Sequence, residues 1–167
     1  YESGVLPGRR LGYAMEYVDG APLDEACRRR WSPTDTGAAS SRATVRSKLE
    51  LFLPICDAIR YAHEHGVLHR DLKPDNILVD AAGVPRVLDF GLAKNVERDA
   101  APVTVTQTGE IFGTFAYASP EHVSGDPEAL DTRSDVYALG VILYEMLCND
   151  LPYRPGASMQ TIVQTLT

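Results

Sequence analysis

The apolar positions of this chain fall into two long helical patterns, with short apolar runs before and between them. From Thr44 to His65, the residues Val45, Leu49, Phe52, Leu53, Cys56, Ile59 and Ala62 recur at helical spacing, which predicts one long helix. Thr44 suits its N-cap and Gly66 its C′ position. Pro54 lies inside this pattern. An interior proline typically costs about 3 kcal/mol and kinks the axis, so a bend near residue 50 is expected. His63 and His65 near the end read as cap and surface residues, because their spacing does not put both on one helical face. From Asp131 to Cys148, Val136, Leu139, Val141, Ile142, Leu143, Met146 and Leu147 cover almost the whole circumference, which predicts a buried core helix. Asp135 falls in its first turn, where a buried carboxylate needs hydrogen-bond partners; a plain dipole role at the helix N-terminus is the alternative. Asn149 to Tyr153 ends that helix in a turn, and residues 154–167 read as the start of another.

The shorter runs predict strands and one more helix. Leu11 to Val18 is strand-like, and Asp19-Gly20 breaks it. Ala21 to Arg30 predicts a short helix with Pro22 in its first turn, Asp24 and Glu25 near its start, and Arg28-Arg29-Arg30 at its end, where cations suit the dipole. Ile77-Leu78-Val79 and Arg86-Val87-Leu88 flank the turn residues Ala81 to Pro85 and read as a β-hairpin. Folding it about residues 82 and 83 places Asn76 opposite Asp89, about 5 Å away. Trp31 to Ser41 lacks periodicity and reads as a surface connection, with Trp31 folding back onto its own domain or anchoring a partner. Leu92 to Ala118 is long and polar, and connections of that length in a compact domain usually carry function.

Composition narrows the classes. The chain has 167 residues, 44% of them apolar, enough for one sizeable core. Its 16 basic and 23 acidic residues give a net charge of −7, which argues against a nucleic-acid or anionic-membrane surface. Cys27, Cys56 and Cys148 match no metal or disulfide spacing, so reduced thiols in a cytoplasmic protein are expected. No apolar run reaches membrane-spanning length, and the first residue is Tyr1 rather than Met, so the chain reads as a piece of a longer protein.

The chemistry concentrates in His69-Arg70-Asp71-Leu72-Lys73-Pro74-Asp75-Asn76 and in Asp89-Phe90-Gly91. These segments hold a base-like carboxylate, a cation, an amide and a second carboxylate at the two ends of the predicted hairpin. Two facing oxygen donors suit a hard cation such as Mg²⁺, which keeps some waters and takes other ligands from phosphates. The pattern predicts a magnesium–phosphate site with an acid upstream of it.

HRDLKPDN followed by DFG resembles the catalytic and metal-binding loops of the protein kinase family. The resemblance implies an α+β, two-lobe fold: the end of the N-lobe sheet and the hinge over 1–18, and a partial, mainly helical C-lobe over 19–167, truncated at both ends. It implies Asp71 as the base that accepts the hydroxyl proton, Lys73 as a point charge on the transferring phosphate, and Asn76 and Asp89 as Mg²⁺ ligands. Met15 would be the gatekeeper, Glu16, Tyr17 and Val18 would offer backbone groups to adenine, and Leu78 would lie under it. The strand over these hinge residues also reads as an ordinary strand entering a turn. His69, Phe90 and Gly91 take structural positions. Residues 89–121 resemble an activation segment, with Thr104, Thr106 and Thr108 as phosphorylation sites and Arg70 as their partner. Thr114 falls in the substrate loop, and Ser119-Pro120-Glu121 matches the family's Ala-Pro-Glu with Ser for Ala. By the same resemblance Asp135 holds the backbone of the catalytic loop from below. The lysine of HRDLKPDN points to serine/threonine rather than tyrosine acceptors. ATP and Mg²⁺ as cofactors, protein substrates with Ser/Thr acceptors, autophosphorylation in trans and a cytoplasmic location follow, the last compatible with a membrane-anchored parent.

The family's glycine-rich loop, Val-Ala-x-Lys strand and paired helix glutamate do not occur in these residues, nor do its C-terminal helices with the arginine that pairs with Glu121. Glu121 is therefore expected without that partner, and the chain alone is expected to bind ATP weakly and be inactive. A pseudokinase or scaffold module, or a small-molecule phosphotransferase of the aminoglycoside-kinase type, fits part of the pattern. The intact Asp71, Lys73, Asn76 and Asp89 weigh against the first, and the full HRDLKPDN, DFG and Pro-Glu series weighs against the second.

Overall fold

The computed structural model describes residues 2–6, 10–14, 16–31, 38–90, 116–124 and 130–152. Strands β1 (Glu2–Leu6) and β2 (Arg10–Ala14) form an antiparallel hairpin with Gly4 opposite Gly12. The strand expected over 11–18 thus ends at Ala14, and residues 16–19 are irregular. A strand follows that the sequence pattern did not predict, β3 (Gly20–Pro22). Gly20 does not merely break the preceding strand. A Cβ there would sit 2.7 Å from the Val79 carbonyl oxygen, so only glycine lets the two backbones pair this closely. β3 pairs with β4 (Ile77–Asp80), which pairs with β5 (Pro85–Val87), giving an antiparallel sheet in the order β3-β4-β5. Helix α1 (Leu23–Arg30) starts after Pro22, whose extended backbone belongs to β3 rather than to the first helical turn.

Helix α2 (Ala38–Glu64) is longer than its apolar pattern. It begins six residues before Thr44, which lies inside it, and it runs uninterrupted through Pro54. The Ala- and Ser-rich residues ahead of Thr44 carry no apolar periodicity, so their helical state could not be read from spacing. Gly66, at φ +72°, turns the chain out of α2, with its amide on the His63 carbonyl at 2.9 Å and Val67 N on the Ala62 carbonyl at 2.9 Å. Helix α3 (Pro120–Ser124) is a single short turn region. Helix α4 (Thr132–Cys148) is capped by Asp131, whose carboxylate accepts from Arg133 N at 2.7 Å, and ends on Asn149 at φ +54°.

The core lies where α1, α2, α4 and the start of β4 meet. Leu23, Ile55, Ile59, Ile77 and Ile142 are fully buried there, joined by Leu72 from the segment after α2. Trp31 folds back onto this cluster, with the Arg30 guanidinium 5.3 Å and the Lys48 ammonium 5.8 Å from its ring centre. Of the basic cluster, Arg28 and Arg29 pair with Asp24 and Glu25 one turn back. Burial pushes the Cys27 thiol up to about 11, so it packs as a neutral side chain. Helix α4 corrects one expectation. It is not buried all round among the described residues: Val136, Gly140, Tyr144 and Leu147 are exposed, Val136 by 59%. These positions follow one another at helical spacing, so α4 buries one face against α2 and leaves an opposite stripe open. No helix of the described residues is long and apolar enough to cross a membrane.

This one-sided burial predicts unequal costs along α4. Ile142→Ala should cost about 2–5 kcal/mol, as core truncations do, and Val136→Ala less than about 0.5 kcal/mol, as surface changes do. Urea unfolding followed by far-UV circular dichroism measures both, and equal costs would contradict the packing described.

Candidate active site

The site is assembled on the segment between α2 and β4. His69 and Arg70 turn over the first turn of α4, where the Asp135 carboxylate is only 2% exposed. Its two oxygens take the two consecutive amides, His69 N on Oδ2 at 2.9 Å and Arg70 N on Oδ1 at 2.9 Å. Arg70 is in the left-handed region at φ +71°, a conformation costly for a residue with a Cβ and tolerated where surroundings impose it. The bend carries Asp71 out of the core, half-exposed, while Leu72 turns back into it.

Lys73 is extended, at φ −157°, and precedes a single 3₁₀ turn, Pro74–Asn76, in which Pro74 is buried and suits the first position. That turn brings Asn76 back to Asp71. Lys73 Nζ donates to Asp71 Oδ2 at 2.9 Å. Asn76 Nδ2 donates to the Asp71 carbonyl at 2.6 Å and to Oδ2 at 3.2 Å. Three side chains that were only neighbours in sequence thus meet at one carboxylate oxygen.

The hairpin corrects the expected facing of Asn76 and Asp89. Pairs are Ile77 with Val87, Leu78 with Arg86 and Val79 with Pro85, and Leu88 N donates to the Asn76 carbonyl at 2.8 Å. Asn76 therefore faces Leu88, and Asp89 lies one residue beyond the ladder at φ +59°. The turn explains the slip. Asp80 N bonds the Val84 carbonyl at 3.1 Å, leaving three residues in the turn, with Gly83 left-handed at φ +80°. The Asp80 carboxylate holds the turn through Ala82 N at 3.0 Å and Val84 N at 2.9 Å.

For a hard cation the donor set is suitable. Among the described residues, both side-chain hydrogen bonds of Asn76 use its nitrogen, which leaves its amide oxygen to ligate, and no donor bonds the Asp89 carboxylate. No group of three His, Cys, Asp or Glu among the described residues could hold a metal alone. An ion here would draw further ligands from water or phosphate, as Mg²⁺ does.

His69 is fully buried, with Nε2 on the Leu88 carbonyl at 2.8 Å and its ring 5.1 Å from that of Phe90. The carbonyl accepts, so Nε2 carries the proton. Burial holds this imidazole below its ordinary pKa, against the smaller upward pull of that hydrogen bond and of the nearby carboxylates. Phe90 packs against the core cluster.

The other predicted site residues are placed as follows. Glu16, Tyr17 and Val18 form the irregular link into β3, with Tyr17 85% exposed. Leu78 sits in β4 opposite Pro22 and Arg86. Glu121 accepts from the Ser134 hydroxyl at 2.8 Å, so a partner from α4 meets the carboxylate that was expected without its arginine. Tyr117 donates to Glu145 Oε2 at 2.6 Å, and burial together with that carboxylate pushes its phenol well above the ordinary range, keeping it a donor. Met15, Gly91, Thr104, Thr106, Thr108 and Thr114 lie outside the described residues.

One residue of the site was misread. His65 is the exposed cap expected, with Nδ1 on the Tyr61 carbonyl at 2.7 Å. His63 is not a surface residue: its side chain is 15% exposed and its Nε2 lies 2.7 Å from Asp135 Oδ2. The available signal was position, since His63 falls one residue after Ala62 and one helical turn after Ile59, both on the buried face.

The buried His69 gives a pH prediction. Its folded-state pKa is depressed, so it adds stability above its ordinary value of 6.5, and that stability is lost as pH falls towards the folded value while the unfolded chain takes up the proton. Thermal unfolding between pH 7.5 and 5 should show His69→Gln losing less stability on acidification than the parent chain. An unchanged slope would refute the neutral, buried assignment.

Known proteins resemble this chain in sequence over most of its length. Residues 8–167 match the family described as protein kinase domain. The serine/threonine-protein kinase PknB of Mycobacterium tuberculosis is 37% identical over 167 residues, 98% of this chain and 24% of the relative. PknB of Mycolicibacterium smegmatis is 40% identical over 156 residues, 92% of this chain and 23% of the relative. PknD of Protochlamydia amoebophila is 34% identical over 159 residues, 86% and 16% respectively. The chain thus spans about a quarter or less of the length of these relatives. A carboxylate gripped by a lysine and an asparagine, on a loop hung from a buried aspartate, sits within a match that runs almost end to end: the chain belongs to the protein kinase domain family.

Proposed function

We propose that this chain carries the phosphoryl-acceptor side of a serine/threonine protein kinase, with Asp71 as the base. The observation that supports this most is the single-sided grip on Asp71. Lys73 and Asn76 both engage Oδ2, and among the described residues Oδ1 is left to accept the proton of an acceptor hydroxyl. Phosphoryl transfer needs positioning and charge screening more than covalent work from the protein. Asp71 orients the hydroxyl and takes its proton, and Lys73, bound to the same carboxylate, places a positive charge beside the transferring group. Asn76 and Asp89 would supply oxygen ligands to Mg²⁺, which when bound would screen the charge of the phosphates. Leu78 and the backbone of 16–18 lie on the adenine side.

The Ser/Thr preference rests on Lys73 in HRDLKPDN and on the relatives' names. The protein substrates, trans autophosphorylation at Thr104, Thr106 or Thr108, and pairing of such a phosphate with Arg70 belong to the same proposal. Arg70 uses its backbone on Asp135, and among the described residues its guanidinium has no partner, so it is available to a phosphate.

The test needs a protein in which this chain is joined to a glycine-rich loop and an ATP-binding lysine. With MgATP it should phosphorylate a generic Ser/Thr protein in preference to a sugar or amine. Asp71→Asn should lower kcat by roughly 10²–10⁴-fold, the usual worth of a positioned base. Undiminished transfer by Asp71→Asn would refute the assignment.

A further inference from the structure

We propose that Arg30, Trp31 and Lys48 form a docking site for a carboxylate of an acidic peptide segment, apart from the groups gathered at Asp71. Along α1 and α2, Arg28, Arg29, Arg46 and Arg60 each pair with a carboxylate one turn away. Arg30 and Lys48 cannot do the same. The residue one turn before Arg30 is Ala26, and those one turn either side of Lys48 are Thr44 and Phe52. Both cations stand instead over one ring, the Arg30 guanidinium 5.3 Å and the Lys48 ammonium 5.8 Å from the centre of the Trp31 indole. Among the described residues no carboxylate bonds either of them.

Lys48 is only 4% exposed, and a lysine that buried is almost always paired. Carboxylates are not scarce in a chain with 23 acidic and 16 basic residues. Those that bear on the neighbouring Cys27 are engaged, Asp24 with Arg28 and Glu145 with Tyr117. The Cys27 thiol feels the Lys48 charge, but burial keeps it protonated, so it supplies no anion. The indole meets part of the need. At 5.8 Å it lies near the outer reach of cation–π attraction, about 6 Å, and it leaves the ammonium N–H groups without an ordinary acceptor. Nζ is also within reach of a ligand. Among the described residues only His69 Nδ1 and Ser119 Oγ are both sealed and unpartnered, so the little surface that Lys48 keeps includes its ammonium.

The surroundings favour a peptide over a bare anion. Arg30 is exposed and reaches the β4–β5 turn, where a Cβ on Gly83 would lie 3.5 Å from its Nη1. Val84, next in that turn, is 43% exposed, and Trp31 is half-buried. Cations beside apolar surface suit a carboxylate with an apolar neighbour in sequence. The Arg30 fork and the Lys48 point charge then supply charge-assisted bonds. Trp31 both packs on its own domain and anchors the partner.

Trp31 is the chain's only tryptophan, so its fluorescence reports on this site directly. The full chain is titrated at low salt with a short, end-blocked peptide of alternating Glu and Leu, with its Gln-for-Glu counterpart, and with inorganic phosphate. The Glu peptide should shift the Trp31 emission saturably, with a Kd on the order of 1 mM or tighter, and should bind more weakly as salt is raised. The Gln peptide should bind at least about tenfold more weakly. The same loss is expected for the Glu peptide with Lys48→Met, which keeps the stem and removes the charge, and with Arg30→Gln. No response to the Glu peptide, or equal binding of the two peptides, overturns the proposal. A response to phosphate without one to the Glu peptide also overturns it, because it marks a small-anion site. If Lys48→Met does not fold, Arg30→Gln decides: weakened binding supports the proposal and a parent-like Kd overturns it. Every arm reads binding, so the outcome is independent of the kinase reading above.

Discussion

A carboxylate with almost no access to water fixes the path of the chain between α2 and β4. Leaving Asp135 buried and unpaired would cost several kcal/mol, and the fold meets that cost with three nitrogen donors. The consequence runs outward. Two of the donors are consecutive backbone amides, so satisfying the charge dictates the path of the chain at His69 and Arg70. That path includes a left-handed residue, and from it Asp71 emerges facing Lys73 and Asn76. The order of dependence is electrostatic first and loop geometry second.

Helix α4 fastens more than the loop. Ser134, beside Asp135, bonds Glu121 in α3, and Glu145, about three turns on, receives the Tyr117 phenol. Two segments distant in sequence, 69–70 and 117–121, are thus tied to one helix by polar bonds, while Ile142 and Met146 belong to the apolar cluster against which Tyr117 packs. By contrast the pairs Arg46–Glu50 and Arg60–Glu64 lie along the exposed surface of α2. Exposed pairs of that kind contribute little, because water screens them and two long side chains must be ordered.

Legibility followed the length of the signal. The periodic parts of α2 and α4 were clear because many apolar residues repeat, yet the first turns of α2 were not, since Ala and Ser leave no stripe. β3 was missed because three residues carry no alternation, and its pairing depends on contact with Val79 across the sheet. The hairpin was recognised but its register was one residue out. A three-residue turn with left-handed Gly83 and a two-residue turn fit the same sequence, and the choice was made by backbone bonds through Asp80. That single step moves Asp89 off the ladder. His63 was misread for a related reason: a histidine near a helix end looks like a cap unless the partner, 72 residues away in sequence, is known.

By itself the sequence determined which chemical groups are present and that they lie in a family's order. HRDLKPDN and DFG carry their meaning in residue identity and local spacing, which survive without coordinates. Local turn chemistry, as at Gly66 and Asn149, was legible for the same reason. Only the tertiary structure decided which face of α4 is covered, that Asn76 faces Leu88, that both Lys73 and Asn76 bond the same oxygen of Asp71, and that His63 reaches Asp135. Each of these depends on where a distant backbone or a buried charge ends up once water is excluded, and no local pattern encodes that.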